Sequence, residues 1–304
     1  MKVGLIDFGI RHSAVNSLKI IEDVIDYAVH ADQFGFNRFW LSEHHTFDPL
    51  VPWLNPEVLL PVIAGMTDHI SVGVGGILLN HHSSYRIAYT FKLLYNLFPG
   101  RIDLGLAKGY TKNNIENNSA FQPTKENAAD LFKEKTEALL KFLKEEDLCF
   151  KEEIIIPPYK GAIPPLYGLG ASYNGLGLIM DSGINYVRSI FHTGADLNFN
   201  KEKLDEFRES YYIRHGRFPQ IILAFSGACH TSTQRAMRSY ENHKFGFKPD
   251  NIVGEPAYFS DTLLKYTEDY GIDEFIFMNV ALDPKDRLFG IENLSKQLNL
   301  THGR

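Results

Sequence analysis

The chain has 304 residues, 44% of them hydrophobic, enough to bury one large core and the right length for a single α/β barrel. Its 31 basic and 37 acidic residues leave a net charge of −6, and no run of Lys or Arg marks a nucleic-acid or membrane surface, so a small-molecule partner is expected instead. Cys149 and Cys229 stand far apart and support neither a disulfide framework nor a thiolate metal site; no span of about 18 apolar residues suggests a membrane helix, and a cytoplasmic location is expected.

Lys2-Val3-Gly4-Leu5-Ile6 opens the chain as a strand, and Leu18, Ile21, Ile25 and Ala28 then repeat at helical spacing, with Ser17 able to cap the start and Gly35 to supply the stop. Apolar runs continue near 38–42, 70–77, 101–106, 166–170, 185–190, 220–225 and 274–279, separated by helix-length amphipathic stretches. Eight such strand-helix units with right-handed crossovers predict a single (β/α)8 TIM barrel over residues 1–304. Two stretches exceed the repeat. Residues 110–165, after the fourth strand, predict an insertion with a charged helix near 125–145 and a short strand at Ile154-Ile155-Ile156; residues 239–253, after the seventh, form either a lid or an ordinary connection. The helix near 56–66 is apolar nearly all round, which an outer helix facing water could not sustain. A second copy of the chain is expected to cover it, with Phe91, Leu93, Leu94 and Tyr95 in the helix near 86–97 as the adjacent surface.

The second strand runs Phe39-Trp40-Leu41 and ends in Ser42-Glu43-His44-His45, placing titratable groups where parallel barrels keep their active sites. Adjacent strand residues point to opposite faces, so the two imidazoles are not expected to share a metal, and no metal site is predicted. One imidazole can be packed beneath the barrel mouth, or serve as a base or hydrogen-bond donor beside a ligand. Gly73-Val74-Gly75-Gly76 ends the third strand, where glycine marks a bulge or a close ligand. Lys108-Gly109-Tyr110 ends the fourth with a cation, a flexible peptide and an aromatic ring. After the fifth, Gly170-Ala171-Ser172-Tyr173-Asn174-Gly175 offers free backbone N–H groups and a hydroxyl, a turn able to cradle a phosphate or simply to reverse the chain. Its glycine spacing departs from the dinucleotide fingerprint, because Tyr173 stands at the third glycine position.

This ordered set resembles the bacterial luciferase-like, flavin-dependent monooxygenase family of (β/α)8 barrels. The likeness is densest over residues 36–110, in Trp40 to His45, Asn55-Pro56, Arg86 and Gly100-Arg101-Ile102-Asp103-Leu104-Gly105-Leu106, and resumes at 168–184 and from Val253-Gly254-Glu255-Pro256 to Phe275. The resemblance implies reduced FMN from a separate flavin reductase, O2, and oxidation of a small organic substrate. It places His44 at the active-site histidine, Gly75-Gly76 at a non-proline cis peptide beneath the flavin, and the phosphate against Lys108, Ser172, Tyr173 and Gly175, with Gly109, Tyr110, Ala171 and Asn174 also expected to bind the cofactor. Bacterial luciferase has arginine where Lys108 stands, so the forked phosphate contact of a guanidinium is not available here. A deazaflavin-dependent hydride-transfer oxidoreductase of the same superfamily and a non-catalytic flavin-binding protein remain as alternatives.

Overall fold

The protein is described from a computed structural model covering residues 1–11, 16–45, 52–109, 127–191, 199–242 and 252–302. Parallel strands β1 (Lys2–Asp7), β2 (Arg38–Leu41), β3 (Ser71–Leu78), β4 (Ile102–Ala107), β5 (Leu166–Gly170), β6 (Asn185–Ser189), β7 (Ile221–Cys229) and β9 (Glu274–Asn279) pair in that order, and β9 returns to β1, closing an eight-stranded barrel. A ninth strand, β8 (Ile252–Gly254), was not expected. It pairs only with the overhanging end of β7, Gly227 against Ile252 through Cys229 against Gly254.

Helices α1 (Ser17–Gln33), α2 (Leu60–Met66), α3 (Ser84–Leu97), α4 (Ala128–Lys144), α5 (Glu146–Lys151), α6 (Leu176–Ser182), α7 (Lys201–His215), α8 (Thr233–Glu241), α9 (Pro256–Tyr270) and α10 (Pro284–Leu298) are described between and after the strands. The N-cap of α1 is Asn16, whose side chain accepts from Lys19 N, rather than Ser17. Its buried face is also set one register over from the expected one: Ile20, Val24, Tyr27, Ala28 and Ala31 pack inward, while Leu18 is exposed. Gly35, at φ 80°, and Gly271, at φ 62°, make the left-handed turns that end α1 and α9, where a side chain would be strained.

In the 110–165 insertion, the described part begins at residue 127. Ile154-Ile155-Ile156 forms no strand, because a closed barrel leaves no free edge for it to join. Ile156 packs inward instead, and its carbonyl accepts from the fully buried Lys92 of α3, which is also paired with Glu146. The segment 239–253 lies largely outside the described residues.

Two apolar layers follow from the period of two along each strand. Ile6, Trp40, Tyr167, Val187, Ile222, Ala224, Ile276 and Met278 fill the barrel, while the alternate residues pack under the helices. The amino-terminal end of the barrel is closed by a polar plug. Arg38 ion-pairs with Asp103 at 2.5 Å and with Glu274; Trp40 Nε1 donates to Asp103 at 2.9 Å; Gln220 bridges Glu274 and the Tyr167 hydroxyl. Burial works against the charge on Arg38, but the two facing carboxylates outweigh it and hold the guanidinium more firmly protonated than in water.

The helix expected near 56–66 is a 3₁₀ turn, Pro56–Val58, followed by α2; Leu60, Ile63 and Ala64 face the core while Val58, Val62 and Met66 are exposed. On α3, Phe91 and Leu94 turn inward and therefore belong to the core; the exposed apolar residues are Tyr85, Tyr89 and Leu97. Both cysteines are buried and unpaired. Among the described residues, no helix is long and apolar enough to cross a membrane.

Candidate active site

At the carboxyl ends of six consecutive strands, β1 to β6, Phe8, Glu43, His44, Gly75, Gly76, Leu78, Ala107, Leu169, Gly170, Ala171 and Ser189 enclose a cavity of about 160 Å³. The barrel interior beneath it is solid, so these strand tips form its floor and walls.

The floor is built from absent side chains. A Cβ on Gly75 would lie 2.5 Å from the Trp40 ring, and one on Gly76 would lie 2.8 Å from the Gly105 carbonyl oxygen. The pairing of β3 with β4 shifts register between Val74 and Ile77, so the glycines mark a bulge, and the Gly75–Gly76 peptide is cis.

The wall comes from the segment after β2. Once the strand has ended at Leu41, His44 and His45 are released from strict alternation. His44 lines the cavity and stacks on Phe8, 4.8 Å between ring centroids. His45 turns behind the wall, where its Nε2 lies 2.7 Å from Glu43 Oε1. The same oxygen lies 2.7 Å from His82 Nε2, and Leu78 N donates to Glu43 Oε2 at 2.8 Å. Burial would raise the Glu43 carboxyl, but the hydrogen bonds from His45 and His82, the charge of His82 and the Leu78 N–H prevail and hold it down at about 2. Burial and the neighbouring His45 lower the His81 imidazole to about 4. The insertion secures this turn: Lys135 of α4 donates to the carbonyls of Asn80 and His82 at 2.6 and 2.7 Å.

The other candidates flank the cavity. Lys108 is exposed at the end of β4, and Gly109, at φ 61°, follows it; Tyr110 lies outside the described residues. Ala171 lines the cavity, whereas Ser172, Tyr173, Asn174 and Gly175 form the turn beyond it. The Ser172 hydroxyl accepts from Asn174 N at 3.4 Å, and a Cβ on Gly175 would meet nothing within 4 Å. Tyr173 is engaged elsewhere, its hydroxyl accepting from Asn200 N at 3.0 Å and its ring lying 4.5 Å from the Arg188 guanidinium carbon.

Leu78, Leu169 and Ser189 carried no signal in the sequence as lining residues. His81 and His82 did: a second His-His pair just after β3 echoes His44-His45 just after β2. Far from this cavity, Asp32, His69 and His302 bring possible metal-ligating atoms together. Asp32 already accepts from the backbone N–H groups of Asp68 and Ile70, both at 2.7 Å, and the two rings stack with 14° between planes, so their in-plane lone pairs do not converge on one ion.

The family model described as luciferase-like monooxygenase matches residues 1–271. An N-acetyl-S-alkylcysteine monooxygenase of Bacillus subtilis is 29% identical over 213 residues, 69% of this chain and 62% of its own; an uncharacterised protein of the same organism, YwcH, is 33% identical over 181 residues, 59% and 54% respectively. The chain thus spans little more than half the length of these curated relatives. The crystal structure of apo-MsnO8 superposes with a TM-score of 0.85 at 23% identity, covering 99% of both chains. The FMN-bound oxygenating constituent of 3,6-diketocamphane monooxygenase from Pseudomonas putida gives 0.74 at 18% identity, covering 98% and 97%, and an F420-dependent secondary alcohol dehydrogenase gives 0.72 at 12%, covering 98% of both. At these identities the structures share the fold.

Proposed function

The chain belongs to the luciferase-like monooxygenase family, and from that premise we propose that it is a flavin-dependent monooxygenase, oxidising a small organic molecule with O2 and reduced FMN. The observation that carries this reading is the cavity at the strand tips, with a glycine floor at Gly75-Gly76 facing the His44 and Phe8 wall. The residues fit the group. A floor without side chains accepts a flat ring, Ala107 and Leu169 offer apolar contact, and the Ser172 hydroxyl, the open space at Gly175 and the exposed Lys108 ammonium suit a phosphate on the rim.

When bound, reduced flavin supplies the electrons that activate oxygen. The protein's part is orientation, water exclusion and proton control. His44 presents an imidazole to the cavity, where it can hold or give up a proton at a ring nitrogen beside the reacting centre. Ser189 adds a hydroxyl on the opposite side, while Phe8, Leu78 and Leu169 keep the space apolar.

Two partners complete the proposal. A separate reductase supplies reduced FMN, a division supported by the neighbour named as the oxygenating constituent of its system. A second copy of the chain covers the exposed apolar side chains Val58, Val62 and Met66 on and beside α2 and Tyr89 and Leu97 on α3, which are costly to leave in water.

Absorbance titration with oxidised and reduced FMN, followed by oxygen consumption across candidate substrates, tests the reading. Saturable FMN binding with substrate-dependent oxygen uptake is expected. F420 reduction by an alcohol without oxygen uptake would assign the deazaflavin chemistry instead, and flavin binding with only slow uncoupled oxidation would assign a storage role.

A further inference from the structure

We propose that Glu43 is a positioning residue of this site: its carboxylate locks the imidazoles of His45 and His82 in the Nε2–H form and ties the loop bearing His44 to the cavity floor. Its effect on the cofactor rests on the flavin reading given above; the hydrogen-bond arrangement does not.

Glu43 is 1% exposed and sits just past the end of β2. A carboxylate so placed needs partners, and it has three from different parts of the chain: His45 from its own loop, His82 from the turn after β3, and the N–H of Leu78 at the end of β3 itself. An ionised carboxylate only accepts, so each imidazole must carry a hydrogen on Nε2. The third contact is mechanical. Leu78 lies two residues beyond Gly76, so the Glu43–Leu78 hydrogen bond fixes the distance between wall and floor.

The surrounding charges leave this work to Glu43. Lys135 approaches the same turn but donates only to the carbonyls of Asn80 and His82. His81 stacks on His45, 5.4 Å between centroids, yet both its nitrogens are buried without a partner, and its lowered pKa keeps it neutral. His81 therefore packs the row and Glu43 orders it.

Imidazole ¹⁵N–¹H spectra of the full-length protein provide the test. Two Nε2–H resonances protected from exchange are expected, one removed by His45→Gln and the other by His82→Gln. Glu43→Gln keeps the size of the side chain but replaces one accepting oxygen with an NH2 group. It should speed exchange of both protons at least tenfold and raise the dissociation constant of oxidised FMN, read by fluorescence quenching, at least threefold. Wild-type rings in the Nδ1–H form would overturn the proposal with no variant needed, as would a folded Glu43→Gln protein with wild-type spectra. A wild-type protein that shows these resonances but does not quench FMN would sink the cofactor reading and leave the positioning role standing.

Discussion

The imidazole of His44 and the ring of Phe8 lie face to face, 4.8 Å between centroids and 25° between planes. Phe8 follows β1 and His44 follows β2, so neighbouring strand tips fix the ring plane of the candidate catalytic group, and Phe191 braces Phe8 edge-on from beyond β6. Phe8→Ala would leave His44 chemically intact but take away the ring that lies against its face and helps set its plane. Misorientation of this kind is expected to lower turnover on the order of tenfold while FMN affinity changes little. Steady-state oxygen uptake and FMN titration check the pair of outcomes, and unchanged turnover would show that the stack does not orient His44.

His44→Ala removes the proton-handling group itself. Turnover is expected to fall by roughly 10²- to 10⁴-fold, the usual range for a lost acid or base, with FMN binding nearly intact. An equal loss of both quantities would instead make His44 a cofactor ligand.

The plug at the other end of the barrel governs stability. Arg38→Ala would leave Asp103 and Glu274 facing each other in the interior without their shared cation. A cost of about 3–5 kcal/mol is expected, read from the midpoint of urea unfolding. A loss below about 1 kcal/mol would mean that water reaches these carboxylates in the native state.

Acid should unfold the protein in stages. His81, lowered from 6.5 to about 4, binds fewer protons when folded than when unfolded between those values, so stability falls as pH drops through that window. Glu43, lowered from 4.5 to about 2, and Asp7, lowered from 3.8 to about 2 against burial by Arg11 and Arg287, act in the same direction further down. The melting temperature followed by circular dichroism from pH 8 to pH 3 should decline across both ranges. His81→Gln should flatten only the upper one, and a curve unchanged above pH 4.5 would remove His81 from the account.

Val62→Glu combined with Met66→Glu puts charge on the exposed face of α2 without touching the core residues Leu60, Ile63 and Ala64. Sedimentation velocity should report a dimer for the unmodified protein and a monomer for this variant. A monomeric unmodified protein would dispose of the proposed interface.

Much of the barrel was legible because apolar runs at regular spacing admit few other arrangements. Eight runs correspond to the eight barrel strands to within a few residues at either end. Misreadings occurred where local pattern lacked a tertiary partner, or had an unforeseen one. Ile154-Ile155-Ile156 has strand composition but no edge to join; Ile252-Val253-Gly254 is too short to announce itself and became a strand because β7 overhangs its neighbours. On α1, Leu18 fits the helical period yet faces water, since the face that packs was decided by the barrel strands and by α2 and α10 rather than by the helix alone.

Residue order alone dictated which chemical groups stand at or near the strand tips, because strand ends follow from where an apolar run stops: His44, Lys108 and Ser172 lie just past such stops, and Gly75 and Gly76 lie just short of one. Where each of those groups points was decided only by three-dimensional packing. Past Leu41 the alternation of side chains lapses, so nothing local tells His44, in the cavity, from His45, behind it. The carboxylate that orders them meets donors 2, 35 and 39 positions along the chain, a convergence that closing the barrel creates and no short window of sequence contains.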